Sequence, residues 1–248
     1  MLTEQRQAEI LRLLDQKGSV TLQELKDYFD TSESTIRRDL TQLDQRGDLV
    51  KVFGGAVKKE SRITTREERV SFRMEQNQDA KIRIGRYAAS LIEPNDFVYL
   101  DAGTTTASMI PFLTEKSAVY VTNAISHALQ LADNGFRVLL IEGELKATTQ
   151  AIVGEEAYAC IQKYNFTKGF LGTNGINRKV GYTTPDINEA AIKRCALRRS
   201  EQAFVLCDSS KFSQVNPVTF GGFYDASVIT EAYADESYQK EKNILIAE

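Results

Sequence analysis

The chain is poor in the residue types that mark several functional classes, and each shortage narrows what it can do. Its 248 residues include one histidine and three cysteines. Cys160, Cys195 and Cys207 are widely spaced, odd in number and form no C-x-x-C, which argues against a disulfide framework or a zinc site. No metal and no cofactor is expected. No run approaches the ~20 apolar residues that span a bilayer. The stretch MLTEQRQAEI lacks the apolar core of a signal peptide, so a soluble, cytoplasmic protein without a membrane partner is expected. Neither sign of charge dominates. A net charge of −3 weighs against a protein that coats nucleic acid, but it leaves room for a local basic footprint. What remains is ordinary globular composition, 42% hydrophobic and 26% charged, at a length that suits one small domain and one larger one.

Residues 4–16 carry Ala8, Ile10, Leu11, Leu13 and Leu14 at helical spacing, which predicts an amphipathic helix with Ala8, Leu11 and Leu14 beside Ile10. Gly18 after Lys17 is a helix stop. Thr21, with Glu24 three residues on, predicts a capping box opening a second helix with Leu22, Leu25 and Phe29 inward. Ser32 is positioned to cap a third helix, whose stripe runs Ile36, Leu40, Leu43 until Gly47. Residues 49–52 and 56–58 flank Gly54-Gly55, the signature of a tight hairpin.

Three short helices and a basic hairpin make a winged helix-turn-helix, in which the third helix enters the major groove. Ser32, Glu33, Ser34, Thr35, Arg37 and Arg38 at its start supply short hydroxyls and forked cations for base edges and phosphate. Lys51, Lys58 and Lys59 of the hairpin would position the module over the phosphate backbone. Residues 34–59 hold six Lys and Arg against three Asp, an excess of three positive charges within an acidic chain. The competing reading is a small helical domain with a solvated basic face, or one that meets a protein.

Arg6-x3-Ile10-x3-Leu14, then Ser32-x2-Thr35-Ile36-Arg37-Arg38-Asp39-Leu40 and a G-G-A wing, resembles the DeoR family of transcriptional regulators. The resemblance implies that Arg37 and Arg38 contact DNA. Asp39 is expected to hold an arginine or cap locally, since a carboxylate facing phosphate is repelled. Phe53 stands where many members have His.

Residues 59–76 are strongly charged with few apolar anchors and read as a linker or surface helix between a DNA-binding domain, 1–58, and a second domain, 77–248. From Gln78 an amphipathic helix is expected through Ile82, Ile84, Ala88, Ala89, Leu91 and Ile92, ended by Pro94-Asn95. Apolar runs at 97–100, 119–121, 138–141, 169–171 and 204–206 look like buried strands, with helical patterns such as 125–131 and 155–161 between them. That order predicts an open, mostly parallel α/β sheet. Its ligand site belongs in the loops after the strands. After Leu100 comes Asp101-Ala102-Gly103-Thr104-Thr105-Thr106, where amides and hydroxyls converge on the start of a helix and suit an anion. Asn123, Gly143, Gly172-Thr173-Asn174-Gly175 and Asp208-Ser209-Ser210-Lys211 follow other strands.

L-D-A-G-T-T-T, V-T-N, F-L-G-T-N-G-I, G-Y-T-T-P-D-I-N-E-A-A-I-K-R and D-S-S-K-F are similar to the DeoR sensor domain, itself related in fold to sugar-phosphate isomerases and CoA transferases. The resemblance implies an effector pocket lined by Asp101, Gly103, Thr104, Thr105, Thr106 and Asn123, with Glu189, Lys193 and Lys211 as further candidates. Glu142-Gly143 stands in place of the usual Gly-Gly. An isomerase-like enzyme would need a paired general base and acid. Asp101, Glu142, Glu144 and Glu189 are possible bases without an evident acid, and His127 lies inside a helix, so no catalytic residue is assigned. The expectation is a repressor switched by a phosphorylated sugar and working as a homodimer or homotetramer on operator DNA. Fructose 1-phosphate comes first, by resemblance to fructose-operon repressors of Gram-positive bacteria, and tagatose 6-phosphate second.

Overall fold

A computed structural model describes residues 3–58, 70–234 and 236–248. The chain divides into two compact units, Met1–Arg62 and Ile63–Glu248.

The first unit contains α1 (Thr3–Lys17), β1 (Ser19–Thr21), α2 (Leu22–Phe29), α3 (Glu33–Gln45), β2 (Leu49–Val52) and β3 (Gly55–Lys58), with the three strands in the order β1-β3-β2. The capping box forms as its spacing predicts: the Glu24 amide donates to the Thr21 hydroxyl and the Thr21 amide to the Glu24 carboxylate. Ser32 caps α3 by accepting from the Thr35 amide. Ile10, Leu14, Leu25, Ile36, Leu40 and Leu43 meet in one core. The inward face of α1 differs from its expected stripe. Ala8 is exposed and Leu11 only half-buried, whereas Leu13 is buried, because the larger side chains of Ile10, Leu13 and Leu14 fill the space against α3. The wing also turns one residue earlier than expected. Phe53-Gly54 is the turn, with Gly54 at φ +84°, and Gly55 already pairs with Thr21 as the first residue of β3.

The second unit opens with α4 (Val70–Glu75) and α5 (Gln78–Ser90), then alternates strand and helix: β4 (Phe97–Leu100), α6 (Thr104–Ala107), β5 (Val119–Thr122), α7 (Ile125–Asp133) and β6 (Arg137–Leu140). A hairpin of β7 (Glu144–Lys146) and β8 (Ala151–Val153) leads to α8 (Glu155–Gln162) and β9 (Phe166–Gly172). There follow β10 (Gly175–Asn177), β11 (Gly181–Thr184), α9 (Ile187–Arg198), β12 (Ser200–Leu206), β13 (Val218–Gly221), β14 (Ser227–Thr230) and β15 (Ile244–Ile246). Of the expected linker, 59–69 lie outside the described residues and 70–75 are α4.

Seven strands form one sheet in the order β15-β14-β12-β9-β4-β5-β6, and each pairing is parallel. Both faces are covered, which is why the strands read as continuous apolar runs. Along β4, Tyr99 joins the core beneath α8 and α9, while Val98 and Leu100 join the core beneath α5 and α7. The expected buried strand at 138–141 is instead an edge strand, with Leu140 exposed. Chain order reverses at β4: β5 and β6 are added on one side, β9 and β12 on the other. A crevice opens where neighbouring strands send their connections to opposite sides of a sheet. Here that point is between β4 and β9.

Candidate functional site

The N-terminal unit presents an exposed hydroxyl and cation face. The Ser32 hydroxyl lies 2.9 Å from that of Ser34 and 2.8 Å from that of Thr35, so the start of α3 holds a small network ready to approach an acceptor. Arg37 and Arg38 are exposed. Arg37 donates from Nε to Glu33 at 2.7 Å, so Glu33 serves as the partner of an arginine one turn along. Asp39 is buried and accepts from Arg6 Nε at 2.6 Å and from Gln7, pinning α1 to α3. The wing is tied to the same helix: Lys51 donates from its amide to Asp44 at 2.9 Å and from Nζ to the Thr41 hydroxyl at 2.8 Å. Phe53 projects fully into solvent at the wing's tip. Lys59 and the side chain of Lys58 lie outside the described residues.

In the second unit a cavity of about 360 Å³ lies over the carboxyl ends of β4 and β9. Its floor is Ala102, Gly103, Thr104 and Thr105 after β4, facing Gly172, Thr173 and Asn174 after β9. Glu189 and Lys193 reach in from α9, and Asp208, Ser210 and Lys211 from the turn after β12. Of the expected pocket residues, Gly103, Thr104, Thr105, Glu189, Lys193 and Lys211 line this cavity.

Four others do not line it. Asp101 lies behind Lys193, whose Nζ donates to its carboxylate, and it also accepts from the Gly172 amide at 2.9 Å. It is thereby a buckle between β4 and β9. Burial pushes the Asp101 carboxyl up while Lys193 and Gly172 pull it back. Thr106 donates to the carbonyls of Asp101 and Gly103 at 2.6 and 2.9 Å, holding the loop shut from within. Asn123 accepts from the Ala102 amide at 2.7 Å and donates to the Ile152 carbonyl, joining that loop to β8. Gly143, at φ +139°, packs the β7–β8 hairpin against α8: a Cβ there would meet the Val153 carbonyl oxygen at 2.7 Å.

Several lining residues were not foreseen. Thr149, between β7 and β8, donates to Glu189 at 2.5 Å, and Lys146 pairs with both Glu189 and Asp186 at 3.2 and 3.0 Å. Arg73 and Gln76 come from the charged stretch read as a linker. Lys81 comes from the inward face of α5, where it is buried while Ile82 is exposed, reversing the expected pattern of that helix. A lysine three residues before Ile84 on a buried stripe was the available signal. Burial pushes the Lys81 ammonium down, offset in part by Asp208. Arg73, Lys81 and Lys211 have no ion-pair partner among the described residues, whereas Lys193 is matched by Asp101.

His127, the single histidine, is buried in α7 with no partner for Nδ1 among the described residues, and its ring bonds the Gly103 backbone. Burial pushes it down to about 4. The unfolded chain therefore binds the extra proton first as pH falls, so stability is full above pH ~6.5 and is lost toward pH ~4, by at most about 3 kcal/mol. His127→Gln, which keeps a donor for the Gly103 carbonyl, is expected to flatten this part of the acid melting profile. An unchanged profile in the variant would remove His127 as its source.

Residues 6–62 match the DeoR-like helix-turn-helix domain, and residues 76–232 match the DeoR C terminal sensor domain. The chain belongs to the DeoR family. This DeoR-family chain is 40% identical over 244 residues to the Bacillus subtilis (strain 168) protein named "Uncharacterized HTH-type transcriptional regulator FruR", covering 97% of this chain and 96% of that one. It is 31% identical over 233 residues to the lactose phosphotransferase system repressor of Staphylococcus aureus (strain N315), covering 92% and 91%. Among solved structures, ribose 5-phosphate isomerase A from Methanocaldococcus jannaschii aligns at a TM-score of 0.41 and 14% identity, over 55% of each chain. The sequence relatives are named as regulators and repressors, and the DeoR family is one of DNA-binding transcriptional regulators rather than enzymes.

Proposed function

We propose that this regulator represses a sugar-utilisation operon and that a phosphorylated sugar, bound in the cavity over β4 and β9, weakens its hold on operator DNA. Residues 1–58 would be the DNA-binding domain and 77–248 the effector domain, acting in the cytoplasm. The observation that carries this reading is the charge of the cavity. Three cations without ion-pair partners among the described residues, Arg73, Lys81 and Lys211, stand around the hydroxyls of Thr104, Thr105 and Thr149. Buried or half-buried cations that no carboxylate pairs directly are costly unless an anion completes them, and a phosphate monoester does so while offering hydroxyls to Glu189 and Asn174. A volume of about 360 Å³ is at the lower end of ligand pockets, a size for a sugar phosphate rather than a dinucleotide.

On the DNA side, the start of α3, with Ser32, Ser34, Thr35, Arg37 and Arg38, reads bases, while Lys51, Lys58 and Lys59 hold phosphates. The small charge excess of the module favours two or more copies on a repeated or palindromic operator. For a switch, the sugar phosphate must bind the two conformations of the regulator with different affinity.

Fructose 1-phosphate is the first candidate, supported by the identity with the FruR protein, and tagatose 6-phosphate the second. The full chain is to be titrated with a panel of sugar phosphates while its melting and its binding to a DNA duplex selected from random sequence are followed. An effector at about 100 times its dissociation constant adds about 2.7 kcal/mol of stability. Arg37→Ala abolishes duplex binding and leaves that stabilisation intact. A panel in which no phosphorylated sugar moves either signal ends the sensor reading, and loss of both signals in Arg37→Ala ends the assignment of Arg37.

A further inference from the structure

We propose that Arg73 contacts the bound anion and that α4, which carries it, is the arm through which an occupied pocket acts on the DNA-binding module. The proposal rests on the cavity being a phosphorylated-sugar site, as above. It concerns a segment that falls between the two matched stretches, 6–62 and 76–232.

No residue of α4 is buried, and Phe72 and Met74 are exposed. Apolar packing therefore does not fix the helix in place. Polar links do, and each leads to a wall of the cavity. The Val70 amide donates to the Thr148 carbonyl at 3.3 Å, next to Thr149, which lines the cavity and bonds Glu189. Lys81 Nζ donates to the Arg73 carbonyl, so a cavity cation holds the backbone of α4. Asn77, in the bend before α5 at φ +50°, donates to Asp208 at 3.0 Å.

The Arg73 side chain lines the cavity, with its Nε shielded from solvent and without a hydrogen-bond partner among the described residues. A shielded guanidinium N–H beside an anion-sized space is a donor awaiting an acceptor. When a phosphate enters, Arg73 and Lys81 are drawn to it from two different helices, and the bond from Lys81 to the α4 backbone is the one that competes. The helix so moved is the first described element after 59–69, the stretch that leads out of the DNA-binding module. Ligand contact and mechanical output thus meet in six residues.

The test uses the full chain, a selected DNA duplex and fructose 1-phosphate, tagatose 6-phosphate and inorganic phosphate as probes. Arg73→Ala is expected to weaken binding of the sugar phosphate at least about tenfold, with partial recovery in Arg73→Lys. Val70→Pro removes the N–H that reaches Thr148 at a position, the first of a helix, where proline is accepted. It is expected to bind the sugar phosphate within about twofold of the parent yet to need at least about tenfold more for release of DNA. Both variants should bind DNA normally without ligand and melt, without ligand, as the parent does, which shows that both units fold. Unchanged sugar-phosphate affinity in Arg73→Ala overturns the contact, and normal release by Val70→Pro overturns the arm. If the parent chain binds none of the three probes, the reading of the cavity falls, and this inference with it.

Discussion

Replacing Gly55 by alanine is expected to abolish operator binding while leaving sugar-phosphate binding by the second unit unchanged. Gly55 opens β3 opposite Thr21, and a Cβ at this position would lie 2.1 Å from the Val20 carbonyl oxygen and 2.9 Å from the Thr21 Cα. Both are backbone atoms, so no rotamer change relieves the clash. The strands β1 and β3 must separate, withdrawing Val20 and Ala56 from the core they share with Ile10 and Leu49. Overpacking of an ordinary core costs about 1–3 kcal/mol, and a rigid backbone clash lies at or beyond the upper end. Among its described residues the module has ten buried apolar side chains to set against that loss, so most of its folding free energy goes. Gly54→Ala is the control. Nothing lies within 4 Å of its Cβ position, and the cost is confined to the positive φ, about 1–2 kcal/mol. Anisotropy with a selected duplex and amide exchange in β1 and β3 measure both. Duplex binding by Gly55→Ala within about threefold of the parent would sink the steric argument.

The second large effect is expected from Lys193→Met. Asp101 and Lys193 are 1% and 4% exposed and form a direct ion pair, so the substitution leaves a buried carboxylate without its cation while the Gly172 amide still donates to it. Breaking a buried pair from one side costs about 3–5 kcal/mol, more than the pair itself contributes relative to an apolar replacement. The pH dependence has a definite sign. Burial already pushes the Asp101 carboxyl up, and without the ammonium it rises further. A folded carboxyl raised above its unfolded value holds its proton longer, so the variant is closest to the parent in acid and falls behind as pH rises. Asp101→Asn combined with Lys193→Met removes the unpaired charge and recovers much of the loss. Urea melts of parent, single and double variants from pH 5 to 8 decide the matter. The idea fails if the single variant loses less than about 1 kcal/mol or if the double variant is no better.

How much of this was legible in the sequence depended on how local the cause was. Thr21 with Glu24, and Ser32 with Thr35, are contacts within one turn, and spacing alone identified them. The alternation of apolar runs and helical patterns gave the parallel sheet, and the rule of strand ends led to Gly103, Thr104, Thr105 and Lys211. Position along a strand does not say which way a side chain serves, so Asp101 and Asn123 proved to be fasteners behind the cavity rather than its lining. The strands β10, β11, β13, β14 and β15, three or four residues each, were not read from the sequence. Gly55 was read as half of a turn because its real constraint, the carbonyl of Val20, is thirty-five residues away in the chain. Arg73 and Lys81 were hidden for a different reason. Charge in a stretch of charge reads as solvated surface, and only the fold shows that these two reach the cavity.

The pairing of Glu33 with Arg37 on the exposed face of α3 has a consequence for how this regulator responds to its ionic surroundings. A cation that meets DNA bare displaces one condensed counterion and adds about 0.9 to the slope of log affinity against log salt. If Arg37 contacts DNA as proposed, it would arrive with its own carboxylate one helical turn away, and the pair would displace fewer ions than an isolated arginine. Any affinity drawn from the neutral hydroxyls of Ser32, Ser34 and Thr35 would release no counterions. A module built this way keeps more of its grip as the osmolarity of the cell rises, and gives more of its discrimination to bases than to backbone charge.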